Sequence, residues 1–132
     1  MQITSDLDCL DFEATHALLK ATYWGGQRTA ELDRRAFGHS VCVIALEGGD
    51  QVGFARAHGD QTLFARISDV IVWPGHRGKG IGKALVEALL DHPELRTVQT
   101  WMLNTADAQG LYERYGFRPC TDGHEMRLDR RT

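Results

Sequence analysis

The chain has 132 residues, of which 42% are hydrophobic and 25% are charged, and its formal net charge is −3. This length fits one domain, and this composition excludes a disordered or low-complexity chain. The longest apolar run, 41–46, is far shorter than the roughly 20 residues of a membrane helix, so no transmembrane segment is expected. The N-terminus has neither a basic start nor an apolar core, so no secretory signal is expected either.

Charge and cysteine content narrow the class of partner. With 15 basic and 18 acidic side chains, the chain offers no obvious basic face, and we expect neither a nucleic-acid nor a membrane partner. Cys9, Cys42 and Cys120 lie far apart without the spacing of a zinc site, so no metal is expected. Free thiols are typical of a reducing compartment, which indicates the cytoplasm.

The first half of the chain carries two helix signals and then a hairpin signal. Apolar residues fall loosely on one side of 11–21, and Leu32 and Ala36 lie four residues apart. A Gly48-Gly49 turn separates two apolar, β-branched runs, which is typical of a hairpin. We predict a short strand over 2–7, helices over 11–21 and 29–37, and hairpin strands over 41–46 and 51–58.

The second half begins with a third strand, over 63–72. The clearest helix of the chain then starts at Ile81, because apolar residues recur on one face until His92-Pro93 ends it. We further predict a strand over 97–103, a helix over 108–115 capped by Gly116, and a last strand over 124–128. Hairpins followed by a strand–helix–strand crossover predict an α/β fold with a mixed, mostly antiparallel sheet.

The turn between the third strand and its helix is rich in glycine and basic residues. Glycine lets backbone approach a ligand, and the free N–H groups of a helix N-terminus attract anions. Residues 77–83 are therefore predicted to hold a phosphate or pyrophosphate. The P-loop pattern fails at two of its four fixed positions, and the spacing Gly78-x-Gly80-x-Gly82 fails the dinucleotide pattern as well.

Two blocks of sequence carry a family resemblance. The first is Arg77-x-x-Gly80-x-Gly82 after Val70-x-Val72-x-Pro74, and the second runs from Asn104 through Leu111-Tyr112 to Gly116-Phe117. Both resemble the GNAT family of N-acetyltransferases. The resemblance implies one GNAT-like domain over 1–132, whose fourth and fifth strands splay apart to admit acetyl-CoA as cosubstrate.

The same resemblance implies a set of cofactor-binding residues. Strand backbone would bind the pantetheine arm and polarise the thioester carbonyl, and the glycine-rich turn would hold the pyrophosphate. The set comprises Val70, Ile71, Val72, Arg77, Gly78, Lys79, Gly80, Ile81, Gly82, Lys83 and Asn104. Asn104 has an alternative, because a polar residue there also fits an N-cap for the following helix.

The resemblance also implies two catalytic side chains. Tyr112 matches the general acid that protonates the leaving thiolate; alternatively it packs in the core with its apolar neighbours. Asp69 would bind the ammonium group of the acceptor or accept its proton through a water; alternatively it is a solvated residue or a partner of Arg66. Tyr23 and Trp24 would line the acceptor pocket, unless they serve ordinary packing.

The expected function is acetyl transfer from acetyl-CoA to a primary amine by direct attack in a ternary complex. A small-molecule acceptor is preferred over a peptide, and the resemblance allows a homodimer. Cys42 and Cys120 have no histidine in a recognisable arrangement, which disfavours a thiol route. The alternative is a non-catalytic module that binds or senses acyl-CoA.

Overall fold

A computed structural model of the protein describes residues 1–131. Five strands and four α-helices follow one another along the chain, with a short 3-10 helix over Leu7–Cys9. In order, the elements are β1 (Gln2–Thr4), α1 (Phe12–Lys20), α2 (Ala30–Gly38), β2 (Val41–Glu47), β3 (Asp50–Gly59), β4 (Phe64–Val72), α3 (Ile81–Leu90), β5 (Thr100–Met102) and α4 (Gln109–Glu113).

The strands form one sheet in the order β1-β2-β3-β4-β5. The pairs β1–β2, β2–β3 and β3–β4 are antiparallel. β4 and β5 run parallel and are joined by the crossover through α3. The predicted α/β fold with a mixed, mostly antiparallel sheet is confirmed. None of the helices in residues 1–131 has the length and hydropathy that a bilayer crossing requires.

Each face of the sheet carries its own apolar core. On one face, α3 buries Ile81, Leu85 and Leu89 against the strands. On the other face, Leu19 of α1 and Phe37 of α2 cover a second cluster. We call these the α3 face and the α1–α2 face, and alternation along each strand sends successive side chains to one or the other.

The fourth and fifth strands separate after a short contact. β5 pairs with β4 only over Phe64–Arg66, so β4 has no β5 partner from Ile67 to Val72. Ser68 is an extra residue relative to β3, since Arg56 pairs with Asp69 while the next residue of β3 pairs with Ile67. A bulge bends and twists its strand, and this one lies where β5 departs. The predicted splay is confirmed.

Side-chain caps explain where the first two helices begin. Asp11 accepts from the N–H of Ala14 at 3.1 Å, and Thr29 accepts from the N–H of Leu32 at 3.2 Å. These caps satisfy N–H groups that a helix leaves free, which is why both helices start within a residue or two of the predicted positions.

Three strand predictions need correction. The strand predicted over 2–7 is only Gln2–Thr4, since the chain turns into the 3-10 helix that starts at Leu7. The strand predicted over 97–103 is only Thr100–Met102, because its ladder ends where the splay opens. The strand predicted over 124–128 is wrong: this segment is not in a strand, and its apolar residues Met126 and Leu128 are 93% and 76% exposed. The alternation of side chains there finds no neighbouring strand to pair with, and a short β5 offers no long edge.

Candidate functional site

The turn between β4 and α3 leaves the backbone N–H groups at the start of α3 free. Gly80 is the N-cap of α3 at φ +81°, and Gly78 has φ +79°, both in the left-handed region that favours glycine. The first helical bond runs from the N–H of Ala84 to the carbonyl of Gly80 at 3.0 Å. The N–H groups of 81–83 therefore have no partner within the helix and point at the space before it.

Basic side chains surround this turn. Lys79 and Lys83 are exposed and form no ion pair within residues 1–131. Arg77 folds back, and its Nε donates to the carbonyl of Val72 at 3.3 Å. His76 instead lies 3.2 Å from Glu47 Oε2. We call residues 77–83 the anion loop. This loop combines free N–H groups with two ammonium groups that form no ion pair within residues 1–131, an arrangement that suits a pyrophosphate.

The open edge of β4 presents backbone groups at alternate residues. The N–H of Trp73 donates to the carbonyl of Val52 at 2.8 Å, so the peptide groups of Trp73 face β3. In an antiparallel pair this orientation alternates, so Ile71 also faces β3. Val70 and Val72 point their N–H and C=O groups to the open side. Of the three strand residues predicted to bind cofactor, Val70 and Val72 therefore present backbone groups to the splay, and Ile71 does not.

Tyr112 of α4 lies in the core of the α3 face, with 8% of its surface exposed. Its ring meets Phe117 edge-on at 5.8 Å between centroids. Within residues 1–131 its hydroxyl has no hydrogen-bond partner, although every fully buried side-chain oxygen or nitrogen has one. The hydroxyl therefore reaches an open surface while the ring is buried, and burial raises the pKa of Tyr112.

Tyr115 is occupied elsewhere. Its hydroxyl donates to Glu87 Oε1 of α3 at 2.8 Å. Burial and this hydrogen bond raise the pKa of Tyr115 to about 12. The two tyrosines thus differ: Tyr112 has an uncommitted hydroxyl and Tyr115 does not.

Asp69 of β4 is buried on the α1–α2 face, with 2% of its surface exposed. Arg28 Nη1 and Nη2 donate to its two oxygens at 2.7 and 2.9 Å, and Arg56 Nε donates to Oδ2 at 2.6 Å. Burial alone would raise the pKa of Asp69, but the hydrogen bonds and charges of the two guanidinium groups outweigh it and lower the pKa. An ion-paired carboxylate of this kind is a weak proton acceptor.

The ion pairs continue away from Asp69 into a buried polar network. Arg28 Nε donates to Asp33 Oδ1 at 2.7 Å, and His16 Nδ1 lies 2.6 Å from Asp33 Oδ2. Arg56 also donates to Ser40 Oγ at 3.0 Å. The network connects α1, α2 and the loop between them to strands β3 and β4. It therefore fixes the loop that carries Tyr23 and Trp24.

An open cleft of about 1070 Å³ lies beside that loop. Its walls include Tyr23, Trp24, Arg66, Asn104, residues 125–129 and Arg131. The amide orientation that satisfies its neighbours puts Asn104 Oδ1 2.8 Å from Arg66 Nη2 and 3.1 Å from Arg127 Nη2. Asn104, predicted to bind cofactor, thus shares a cleft with the two residues predicted to bind the acceptor. The N-cap alternative for Asn104 does not apply, since Ala108 is the N-cap of α4.

The predicted site residues fall into two groups on opposite faces of the sheet. The anion loop and Tyr112 lie on the α3 face, while Asp69 and the cleft lie on the α1–α2 face, with the splay between them. Sequence reasoning missed Arg28, Arg56 and the cleft role of Arg66. Arg56 had a signal, because a charge inside an apolar strand needs a buried partner.

A family model described as an acetyltransferase (GNAT) domain matches residues 38–119. Among curated proteins, "Histone acetyltransferase TAP1" of Glycine max is 39% identical over 82 residues, which cover 58% of this chain and 35% of that protein. "Mycothiol acetyltransferase" of Streptomyces coelicolor is 40% identical over 48 residues, 36% of this chain and 16% of that protein. The chain thus spans about a third or less of these relatives.

Solved structures match along nearly the whole chain. A protein assigned to the GNAT family in Xanthomonas campestris pv. campestris is 38% identical with a TM-score of 0.90, over 99% of this chain and 92% of that one. A second structure, from Deinococcus radiodurans R1, is 28% identical with a TM-score of 0.71, over 98% and 87%. With the splayed sheet, the free anion loop and a family model covering more than half its length, the chain belongs to the GNAT family of acetyltransferases.

Proposed function

We propose that the chain acts as one GNAT domain over residues 1–132, an N-acetyltransferase that moves an acetyl group from acetyl-CoA to a primary amine. One observation carries the proposal: the open edge of β4 runs directly into the free N–H groups at the start of α3. This is a continuous backbone surface for a ligand with an extended amide arm and a pyrophosphate.

Each part of that surface takes one part of the cosubstrate. Val70 and Val72 hydrogen-bond the pantetheine arm, and one of their N–H groups polarises the thioester carbonyl. The N–H groups of 78–83 hold the pyrophosphate, and Lys79 and Lys83 neutralise part of its charge. Acetyl-CoA supplies an activated thioester, so the protein needs to position the amine and stabilise the charge that develops.

Tyr112 is the proposed general acid. The neutral amine nitrogen bonds to the carbonyl carbon and gives up its extra proton to solvent water, while the carbon–sulfur bond breaks and its electron pair leaves on sulfur as a thiolate. The Tyr112 hydroxyl donates its proton, or a hydrogen bond, to that sulfur. Its raised pKa keeps it protonated at neutral pH, and its free hydroxyl supports this role over Tyr115.

We give Asp69 a positioning role in place of the base role expected from the sequence. Both of its oxygens accept guanidinium hydrogen bonds and only 2% of its surface is exposed, which restricts access for an ammonium ion or for a water that carries its proton. Asp69 instead anchors Arg28 and, through it, the loop with Tyr23 and Trp24. These two aromatic residues line the proposed acceptor cleft.

Further proposals concern setting and acceptor. Exposed free thiols at Cys9 and Cys120 support a reducing compartment, and we propose the cytoplasm. A cleft bounded by a loop supports a small-molecule acceptor. The homodimer stays a prediction of the family resemblance, and light scattering coupled to gel filtration tests it.

The test combines binding with turnover. We expect acetyl-CoA and CoA to raise the unfolding temperature by several degrees at 100 times their Kd, with no shift from NADH. We also expect thiol release with a panel of primary amines. Gly80→Asp abolishes both, because it places bulk and negative charge at the pyrophosphate and strains a φ of +81°.

Gly49→Asp is the matched control. Gly49 also has positive φ, lies in the β2–β3 turn and is exposed, so this variant carries the same charge change and similar strain away from the loop. Equal loss of binding in both variants contradicts the loop assignment. Binding of acetyl-CoA with no thiol release from any amine favours the alternative, a non-catalytic acyl-CoA-binding module.

A further inference from the structure

The apex of the splay carries an arginine that faces the acceptor cleft. Arg66 is the last residue of β4 that pairs with β5, opposite Met102, and its side chain lines the cleft. Across residues 1–131, Arg66 forms no ion pair. Within the same residues, its polar partner is Asn104 Oδ1 at 2.8 Å, which is neutral. Within the described residues, the positive charge of Arg66 is therefore not compensated by an ion-paired carboxylate.

A second guanidinium group converges on the same atom. Arg127 Nη2 lies 3.1 Å from Asn104 Oδ1, so Arg66 and Arg127 reach one amide oxygen from two directions. Two like charges held this close repel each other, and a neutral amide relieves little of that repulsion. An anion between the two guanidinium groups would relieve it and satisfy their remaining donors.

The carboxylates of the cleft compensate this pair of guanidinium groups only in part. Asp129 is taken by Arg131 through three side-chain hydrogen bonds. Glu125 lies 4.0 Å from Arg127 Nη2 at an exposed position, where an ion pair contributes little. Among residues 1–131, three arginines and two carboxylates line the cleft, so these described side chains give it a positive net charge.

We propose that Arg66 and Arg127, oriented by Asn104, form an anion subsite, and that the acceptor is a primary amine that also carries a carboxylate or phosphate group. This inference rests on the proposed acetyl transfer. Guanidinium groups bind both oxyanions in bidentate fashion, so the shared chemistry covers the two sources.

The position of the subsite orients the acceptor. Its anion would lie at the apex of the splay, and its amine would extend along the open edge of β4 towards the thioester. The exposed rings of Tyr23 and Trp24 on the cleft wall bound the space between the two ends. Polyamines and aminoglycosides, which carry only positive charge, are disfavoured by the same field.

The experiment uses acceptors that differ only in the anion. 6-Aminohexanoate is compared with 6-aminohexanamide for the carboxylate arm, and 6-aminohexyl phosphate with 6-aminohexan-1-ol for the phosphate arm, because Arg66 and Val70 lie more than about 10 Å apart along β4; spermidine is the cationic probe. KM and kcat come from thiol release at saturating acetyl-CoA. Binding of each probe is measured separately by calorimetry with CoA present, so that it does not depend on turnover.

Arg66→Gln and Arg66→Lys are compared with Arg96→Gln, an exposed arginine outside the cleft that has the same charge change. We expect the anionic member of at least one pair to bind about 10- to 100-fold more tightly than its neutral partner. Arg66→Gln removes this difference without changing the neutral partner, and Arg66→Lys restores part of it because charge returns without the bidentate fork. Arg96→Gln changes neither.

The outcomes separate the two proposals. Neutral or cationic acceptors that bind as well as the anionic ones, or an equal loss in both members of a pair in Arg66→Gln, overturn the anion subsite while acetyl transfer stands. Arg66-dependent binding of the anionic probes with no acetylation of any amine supports the subsite and overturns the proposed function. Failure of every probe to bind while CoA binds overturns the subsite.

Discussion

Tyr112, the proposed general acid, differs from Tyr115 in that only the hydroxyl of Tyr115 is hydrogen-bonded to a protein side chain within residues 1–131. Tyr112→Phe removes a hydroxyl that has no hydrogen-bond partner within residues 1–131, so we expect little change in stability. We expect kcat to fall by about a hundredfold, the low end for general acid catalysis, because a thiolate leaves without full protonation. The Kd of acetyl-CoA stays within about twofold. Stopped-flow turnover and calorimetry measure the two quantities.

The control for this variant is Tyr115→Phe, which loses the bond to Glu87 but touches no proposed reacting atom. We expect its kcat to stay near that of the wild type. Because burial raises the pKa of Tyr112, the acid stays protonated through the neutral range, and kcat declines only above the usual tyrosine pKa of about 10. Unchanged kcat in Tyr112→Phe, where chemistry limits the rate, contradicts the assignment.

Asp69 supports the fold through its charge. Asp69→Asn leaves the buried guanidinium groups of Arg28 and Arg56 without their shared carboxylate, and breaking a buried pair costs about 3–5 kcal/mol. We expect the free energy of unfolding to fall by that amount in urea titrations at pH 7. The exposed pair of Asp129 and Arg131 gives the control, and Asp129→Asn leaves the midpoint unchanged.

Lowering the pH should reduce the difference in unfolding free energy between the wild type and Asp69→Asn. The pKa of Asp69 is lowered in the folded state, so its contribution is complete above the unfolded value of about 3.9 and is lost as the pH falls below that value. The difference in unfolding free energy should therefore shrink below pH 4. A difference that is the same at pH 7 and at pH 3 contradicts the ionic origin of the stability.

Single residues differ in how far their role could be read from the sequence. Tyr112 and the glycine-rich turn stand in motifs of fixed spacing, so a role could be proposed for each from the sequence. Arg28 lies in a loop, and its contact with Asp69, 41 positions away, depends on how the N-terminal helices fold over the sheet. No local pattern encodes that contact, which is why Asp69 looked available for catalysis.

At the scale of elements, the N–H groups of β4 alternate between the open side and β3, so proline substitutions at neighbouring positions should have different effects. Val70→Pro removes an N–H that faces the splay and leaves the ladder to β3 intact, a position where a sheet tolerates proline. We expect a folded protein whose Kd for acetyl-CoA rises roughly tenfold, the value of about one hydrogen bond. Ile71→Pro removes an N–H that faces β3, so it should lower stability strongly.

Circular dichroism melting and calorimetry distinguish the two proline variants. If both bind acetyl-CoA with wild-type affinity, the backbone of β4 does not hold the pantetheine arm. If Val70→Pro unfolds as readily as Ile71→Pro, the alternation that directs Val70 to the open side is wrong. Either outcome would move the cofactor away from this edge.

Elements with a strong apolar period were predictable, and isolated ones were not. α3 begins at Ile81 as its stripe predicts, because that face is buried whatever else the sheet does. The segment 124–128 has strand-like alternation but no neighbouring edge to pair with, so propensity there was overridden. The short β5 shows the same dependence, since the splay sets its length rather than its own residues.

The whole molecule carries a net charge of −3, yet its proposed cosubstrate is an anion. The phosphates of CoA must therefore be attracted locally, by the N-terminus of α3 and by Lys79 and Lys83. The net negative charge of the molecule repels them at longer range. Raising salt from about 0.1 to about 1 M shortens the Debye length from about 10 to about 3 Å, which screens both effects. The exposed local contacts dominate at the site, so we expect the Kd of CoA to rise with salt.

The double variant Lys79→Gln, Lys83→Gln tests that balance. At 0.1 M salt its Kd for CoA should be about three- to tenfold higher than that of the wild type, since each exposed charge contributes modestly. With the local attraction reduced, the net repulsion counts for more, so its Kd should rise less steeply with salt than the wild-type Kd. Arg96→Gln has the wild-type slope, because its charge lies outside the loop. A double variant with wild-type affinity and slope would mean that the free N–H groups alone hold the pyrophosphate.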